Sequence, residues 1–310
     1  MVKERSGAMG TTKKWEWNQF GKLQSCKDLE EYLIDREYQH SKYFHYTDLN
    51  AVEGILKNKG FWLSNVSRFN DTMDTEQFGA GPQPFFSLCF STGIHENLPL
   101  WYLYSGVDGR GARIQFTQVG IRDLIQNGSF SLCRINREHK AEQIMPLKHG
   151  ETMDLSFRDV IYAQPPDKEG TYALKYNTMT NYQLTAEEFE AYRSKHVGFC
   201  KGLIWFYEKE TRLLVRLKGV AETEWKQRIQ ATPQEDLRVV LSFDESLYKR
   251  IKITLAPNIS REEIEPALKG KDGIVEFLRR TSFIQPSQYA GTIKMRLCDR
   301  CDWKNKQESK

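Results

Sequence analysis

"YFHYTDLNAVEGILKNKGFWLSNVSRFND" runs from Tyr43 to Asp71, and its punctuation predicts a whole supersecondary unit. Tyr43 to Tyr46 reads as a short strand. Thr47 or Asp48 is a helix cap, and Leu49, Val52, Ile55 and Leu56 recur at helical spacing before Gly60 stops the run. Phe61 to Ser64 is a second strand. The unit therefore reads strand, helix, strand, with His45 where the first strand meets the helix.

Working outward, "FFSLCFS" from Phe85 alternates apolar and small polar residues, Gly111 to Phe116 is another strand, and "RDVIYA" from Arg158 to Ala163 another. Leu100, Trp101 and Tyr104 suit a short helix. Asp28 with Glu31, Thr185 with Glu188 and Ser260 with Glu263 have capping-box spacing. Strands are expected again at Leu237 to Phe243, Ile251 to Leu255 and Thr292 to Leu297. Grouped strands, more numerous than long helices, predict an α+β fold. Residues 1–27 read as a loose leader and 28–310 as a single catalytic-type domain, with a polar excursion around 165–184.

Composition narrows the classes of function. The 45 basic and 41 acidic residues leave +4, too little to mark a nucleic-acid binder by charge alone. Aromatics at 12% supply bulk for a core and speak against disorder. No membrane span or secretion signal is evident, so a cytoplasmic protein without membrane contact is expected. Six scattered cysteines read as free thiols. Cys298-Asp-Arg-Cys301 has the spacing of half a zinc site but lacks the other half, so no metal is expected. Phosphate-loop, HExxH, GxSxG and Rossmann glycine motifs are missing.

"IWFYEKETRLLVRL", from Ile204 to Leu217, carries Glu208, Glu210 and Arg212 two residues apart, hence on one face of an extended chain. Two carboxylates so close cannot both ionise freely, and the guanidinium can fix one of them. A salt-bridged sheet edge is the plain alternative. For His45 that alternative is a satisfied structural histidine, and for Thr47 simple capping.

In order, "FHYTDLNAVEGILKNKGFWLSNVSRFND", "FFSLCFS", "LWYLYSGVDGRGARIQF", "DVIY", "IWFYEKETRLLV" and "IKITLAPNIS" resemble blocks of the bacterial domain-of-unknown-function family numbered 2971, over roughly residues 42–270. The blocks also resemble, remotely, the ADP-ribosyltransferase plan of mixed, mainly antiparallel sheets with flanking helices. His45-Tyr46-Thr47 matches its first element, Phe90-Ser91 with the helix of Trp101 its second, and Glu208-x-Glu210 its third. That resemblance implies NAD as substrate, with His45, Tyr46, Thr47, Ser91, Trp101 and Tyr104 around it and Glu210 or Glu208 catalytic, Glu210 being favoured. The carboxylate would stabilise an oxocarbenium-like transition state.

Asn70 and Asp71, from the uncharacterised family's pattern, are turn residues or, with Arg212, loop or substrate contacts. The implied acceptor is a macromolecule. RNA or DNA is favoured slightly over protein by the basic segments "RSKHVGFCK" and "KRIKIT". A toxin or phage-defence effector is the implied setting, with an inhibitory partner protein. NAD hydrolysis and a non-catalytic nucleotide- or partner-binding module are the alternatives.

Overall fold

A computed structural model describes residues 17–69, 71–79, 83–93, 95–106, 109–137, 140–176, 179–233, 235–259, 264–281 and 284–290. Residues 17–27 belong to the folded structure and are no loose leader. Trp17–Lys22 is a 3-10 turn, and Phe20 is fully buried against Tyr32 and Tyr176. Helix α1 (Cys26–Asp35) starts one turn earlier than its expected capping box. Ser25 is the cap and accepts from the Asp28 amide at 3.1 Å, while Asp28 Oδ2 accepts from Gln24 N–H at 3.0 Å.

The unit read from Tyr43 to Asp71 is present as β1 (Lys42–Asp48), α2 (Leu49–Asn58) and β2 (Gly60–Asn65). Asp48 caps α2 by accepting from Ala51 N–H at 2.8 Å. Lys59, at φ 49°, takes the left-handed closing position, and Gly60 opens β2. Leu49, Val52, Ile55 and Leu56 are the buried stripe of α2, as their spacing requires.

The chain continues through α3 (Thr72–Glu76), β3 (Phe85–Ser91), α4 (Leu98–Tyr104), β4 (Gly111–Thr117), α5 (Gln118–Asn127), β5 (Ser129–Ile135), β6 (Ala141–Leu147) and β7 (Met153–Asp159). It then forms β8 (Ile161–Ala163), β9 (Thr171–Tyr176), β10 (Met179–Thr185), α6 (Ala186–Lys195), β11 (Cys200–Gly202) and β12 (Glu210–Leu217). Helix α7 (Gly219–Ala231), β13 (Leu237–Ser242), β14 (Ile251–Leu255), α8 (Ile264–Leu268), α9 (Asp272–Thr281) and β15 (Ile284–Gln285) complete it. The fold is α+β with mainly antiparallel sheets.

The large sheet runs β15-β14-β4-β1-β3-β2-β13-β5-β6, and β12 lies along β3 with β7 beyond it. A second sheet runs β10-β9-β8-β11. "RDVIYA" is therefore two strands in two sheets: Val160 N–H donates to Glu210 O at 2.9 Å, and Ile161 N–H to Phe199 O at 3.0 Å. The polar excursion contains the β9–β10 hairpin, whose Leu174, Tyr176 and Leu184 pack with Phe20, Tyr32 and Phe189. Apolar side chains at alternate positions of a hairpin suffice to close a small core. The Ser260–Glu263 cap, the strand at Thr292–Leu297, and Cys298 and Cys301 lie outside the described residues. Among the described residues no helix is long and apolar enough to cross a membrane, and Cys26, Cys89, Cys133 and Cys200 are free.

Candidate functional site

Strand β3 organises the site because its two edges are used differently. Strand β12 pairs with it throughout, from Glu210 opposite Ser91 to Arg216 opposite Phe85. The other edge is divided: β1 meets it at Ser91, opposite Phe44, and β2 at Ser87 and Phe86. Phe44, Ser91 and Glu210 thus form one row across three strands, on one face.

His45 points to the other face. Its ring packs edge-on against Phe61 and Phe90, and its Nδ1–H donates to Cys89 O at 3.0 Å. Cys89 lies where β3 passes from β2 to β1, so the imidazole satisfies a carbonyl that neither strand takes. Burial lowers its pKa and keeps the ring neutral. The expectation that His45 and Glu210 would surround one ligand is corrected here: their strands flank β3, and strand alternation turns the two side chains to opposite faces.

On the Ser91 face lies a buried cluster of charges. Arg212 grips Glu210 with Nε to Oε1 at 2.9 Å and Nη2 to Oε2 at 3.1 Å, and grips Asp74 of α3 at 2.9 and 2.8 Å. Its Nη1 also donates to Gly198 O at 2.6 Å. Gly198 has φ 86°, and a Cβ there would lie 2.8 Å from the Phe78 ring, so glycine is needed to present that carbonyl. Lys201 Nζ reaches Glu208 Oε2 at 2.6 Å and Glu210 Oε2 at 3.3 Å. Tyr104 OH donates to Glu208 Oε1 at 3.1 Å. Three carboxylates face two cations, all between 1% and 6% exposed.

The two glutamates differ in kind. Burial would push the Glu210 carboxyl up, but Arg212 and Lys201 outweigh it and hold it below the usual range. Burial and then the Glu210 charge push Glu208 up, against Lys201 and Tyr104. Glu208 ends a 3-10 turn, Leu203–Glu208, and Lys209 at φ 45° turns the chain into β12. The expected single extended strand is therefore broken between the two glutamates. Lys201 and Asp74 escaped sequence reading. A lone lysine inside the apolar run Val197–Phe206 was the available signal for the first; Asp74, in a polar stretch, gave none.

The remaining candidates divide. Trp101 is fully buried, donates Nε1–H to Glu96 Oε2 at 3.0 Å and meets Tyr46 edge-on, so it does not offer a face to a ligand. Tyr46 is buried, and its hydroxyl accepts from Asn97 N–H at 3.1 Å. Thr47 is half-buried on the His45 side of β1, and the cap is Asp48. Ser91 is buried beside Glu210. Asp71 is buried, with its carbonyl accepting from Thr75 N–H at 3.1 Å; Asn70 lies outside the described residues. Tyr104 alone of the aromatic candidates combines a contact in the cluster with partial exposure.

Several cations of the two basic segments have acidic partners. Lys195 pairs with Glu30, Arg193 with Glu190 and Arg250 with Asp123, while Lys201 is in the cluster. A second buried network centres on Asp159, which accepts from Tyr176 OH at 2.5 Å and from Thr211 and contacts His40 at 2.6 Å. The hollow between the networks, lined in part by Thr92, Tyr162 and Lys209, has room for about one water molecule. Among the described residues no group of three or more His, Cys, Asp or Glu side chains is arranged to hold a metal.

Comparison with family models, with curated proteins and with solved structures found no match.

Proposed function

We propose that the protein consumes NAD as an ADP-ribosyltransferase-like enzyme acting on a macromolecule, with Glu208 in place of Glu210 as its acting carboxylate. One observation carries this reading. Glu208 shares the Lys201 ammonium with Glu210 but ends in a hydroxyl contact with Tyr104, a partly exposed residue that follows the exposed Tyr102 and Leu103 in α4. Glu210 is shut in by Arg212.

In the proposed step the bond between nicotinamide and ribose C1′ breaks, and nicotinamide leaves with the electron pair. The ionised Glu208 carboxylate lies against the positive charge that develops on the ribose. An acceptor nucleophile then bonds to C1′ and releases its proton. Lys201 orients the carboxylate, while Arg212 and Asp74 hold the strand beneath it. His45 and Trp101 have structural roles.

A non-catalytic nucleotide-binding module is favoured by a different observation: each carboxylate oxygen of Asp74, Glu208 and Glu210 already has a partner. Labelled NAD, purified protein and cell lysate separate the two. The enzyme should release nicotinamide and pass label to protein, RNA or DNA, and Glu208→Gln should do neither. Binding without nicotinamide release would establish the module, and label lost to water alone the hydrolase.

A further inference from the structure

Each Glu208 oxygen has one partner, and the two partners differ in how firmly they are held. Lys201, on Oε2, is buried, also reaches Glu210 and lies over the Trp205 ring at 4.9 Å. Moving it would strip a cation from two carboxylates at once. Tyr104, on Oε1, stands in the last turn of α4 as a residue 37% exposed, with its hydroxyl on the carboxylate.

Helix α4 itself is fixed. Leu100 and Trp101 are buried, Asn97 Nδ2 donates to Tyr207 O at 2.5 Å, and Trp101 is tied through Glu96 to Gln288 N–H at 2.8 Å. The Tyr104 side chain can therefore turn outward about its own torsions while the helix stays in place.

We propose that Tyr104 is a displaceable cap on Glu208: in the free protein its phenol occupies the position that a ligand's sugar hydroxyl takes, and ligand binding turns it out. The donor geometry supports the exchange. An O–H that donates to one carboxylate oxygen, with the other fixed by an ammonium, is replaced by another O–H without uncovering charge. The identity of the ligand rests on the ADP-ribosyl reading; the cap does not.

Two variants test it. Tyr104→Ala opens the carboxylate, so coupling of Glu208 to an amine by a water-soluble carbodiimide, read by mass spectrometry, should rise about tenfold while Glu210 stays unlabelled. Tyr104→Phe keeps the ring and removes the bond. It should raise the Glu208 titration midpoint seen by carboxyl carbon NMR, because a donor to the ionised form is lost, and tighten NAD binding by about tenfold. If Tyr104→Ala does not fold, Tyr104→Phe decides. An unchanged Glu208 titration, or weaker NAD binding in Tyr104→Phe, overturns the cap. If Glu208 becomes reactive and its titration shifts but neither protein binds NAD, the cap stands and the ADP-ribosyl reading falls.

Discussion

His45 and Glu208 are two polar side chains near the same three strands, and their surroundings could hardly differ more. His45 has rings about it and one backbone carbonyl to satisfy. Glu208 has an ammonium, a second carboxylate and a half-open phenol. The first arrangement has a single solution, a neutral ring that completes a hydrogen bond. The second leaves one contact that can be exchanged. A histidine at a strand end is therefore a weaker sign of chemistry than a carboxylate whose partners are unequal.

Breaking the charged side of this contrast should have the largest effect. Arg212→Ala leaves Asp74 and Glu210 buried without their shared cation and should cost about 3 to 5 kcal/mol in urea denaturation. A loss below about 1 kcal/mol, the scale of an exposed pair, would mean that the cluster is hydrated and the contrast overstated.

The two glutamates sharpen it next. Glu210→Gln should cost about 2 to 3 kcal/mol, because Arg212 and Lys201 lose a charged acceptor, and should keep NAD turnover per folded molecule. Glu208→Gln should lose turnover with a stability change within about 1 kcal/mol. The opposite pattern would return the acting role to Glu210.

His45→Ala should cost about 1 to 3 kcal/mol in thermal melting, from the orphaned Cys89 carbonyl and the gap among the rings. NAD affinity per folded molecule should not change. A selective loss of NAD affinity would put His45 back at the site and erase the difference between the two faces.

The smallest effect is in pH. Glu208 is raised above the ordinary 4.5, so the folded state holds its proton more tightly than the unfolded chain. Its contribution to stability is fully present below 4.5 and is lost as pH rises through the folded pKa. Glu210 has the opposite sign: it is held below 4.5, and its contribution is lost as pH falls. As pH rises above 4.5, the wild type should therefore lose stability relative to Glu208→Gln, read as a widening difference between their denaturation midpoints. An equal slope in both proteins would assign the titration to another group.

The helix and strands of Tyr43–Asn65 were legible because local spacing and caps fix them, and the same holds for Thr185–Lys195 with its capping box. Glu208, Glu210 and Arg212 could be singled out because the sequence places them together. Their partners could not. Asp74 and Lys201 reach them only through the meeting of α3, β11 and β12, which no local pattern encodes. The face occupied by His45 depends on the parity of a register between strands far apart in sequence, and one residue of slip would reverse it. The break at Val160 was hidden because an apolar strand reads the same in either sheet.

The divided edge of β3 makes it a spine. On one side hang β1, β4 and β14, on the other β2, β13, β5 and β6, and among the described residues the ladders of these two plates meet only at β3. With no rung between β1 and β2 among the described residues, β3 alone carries the pairing from one plate to the other. The imidazole of His45 fills the notch, and Glu210 rides on the far edge of the same spine.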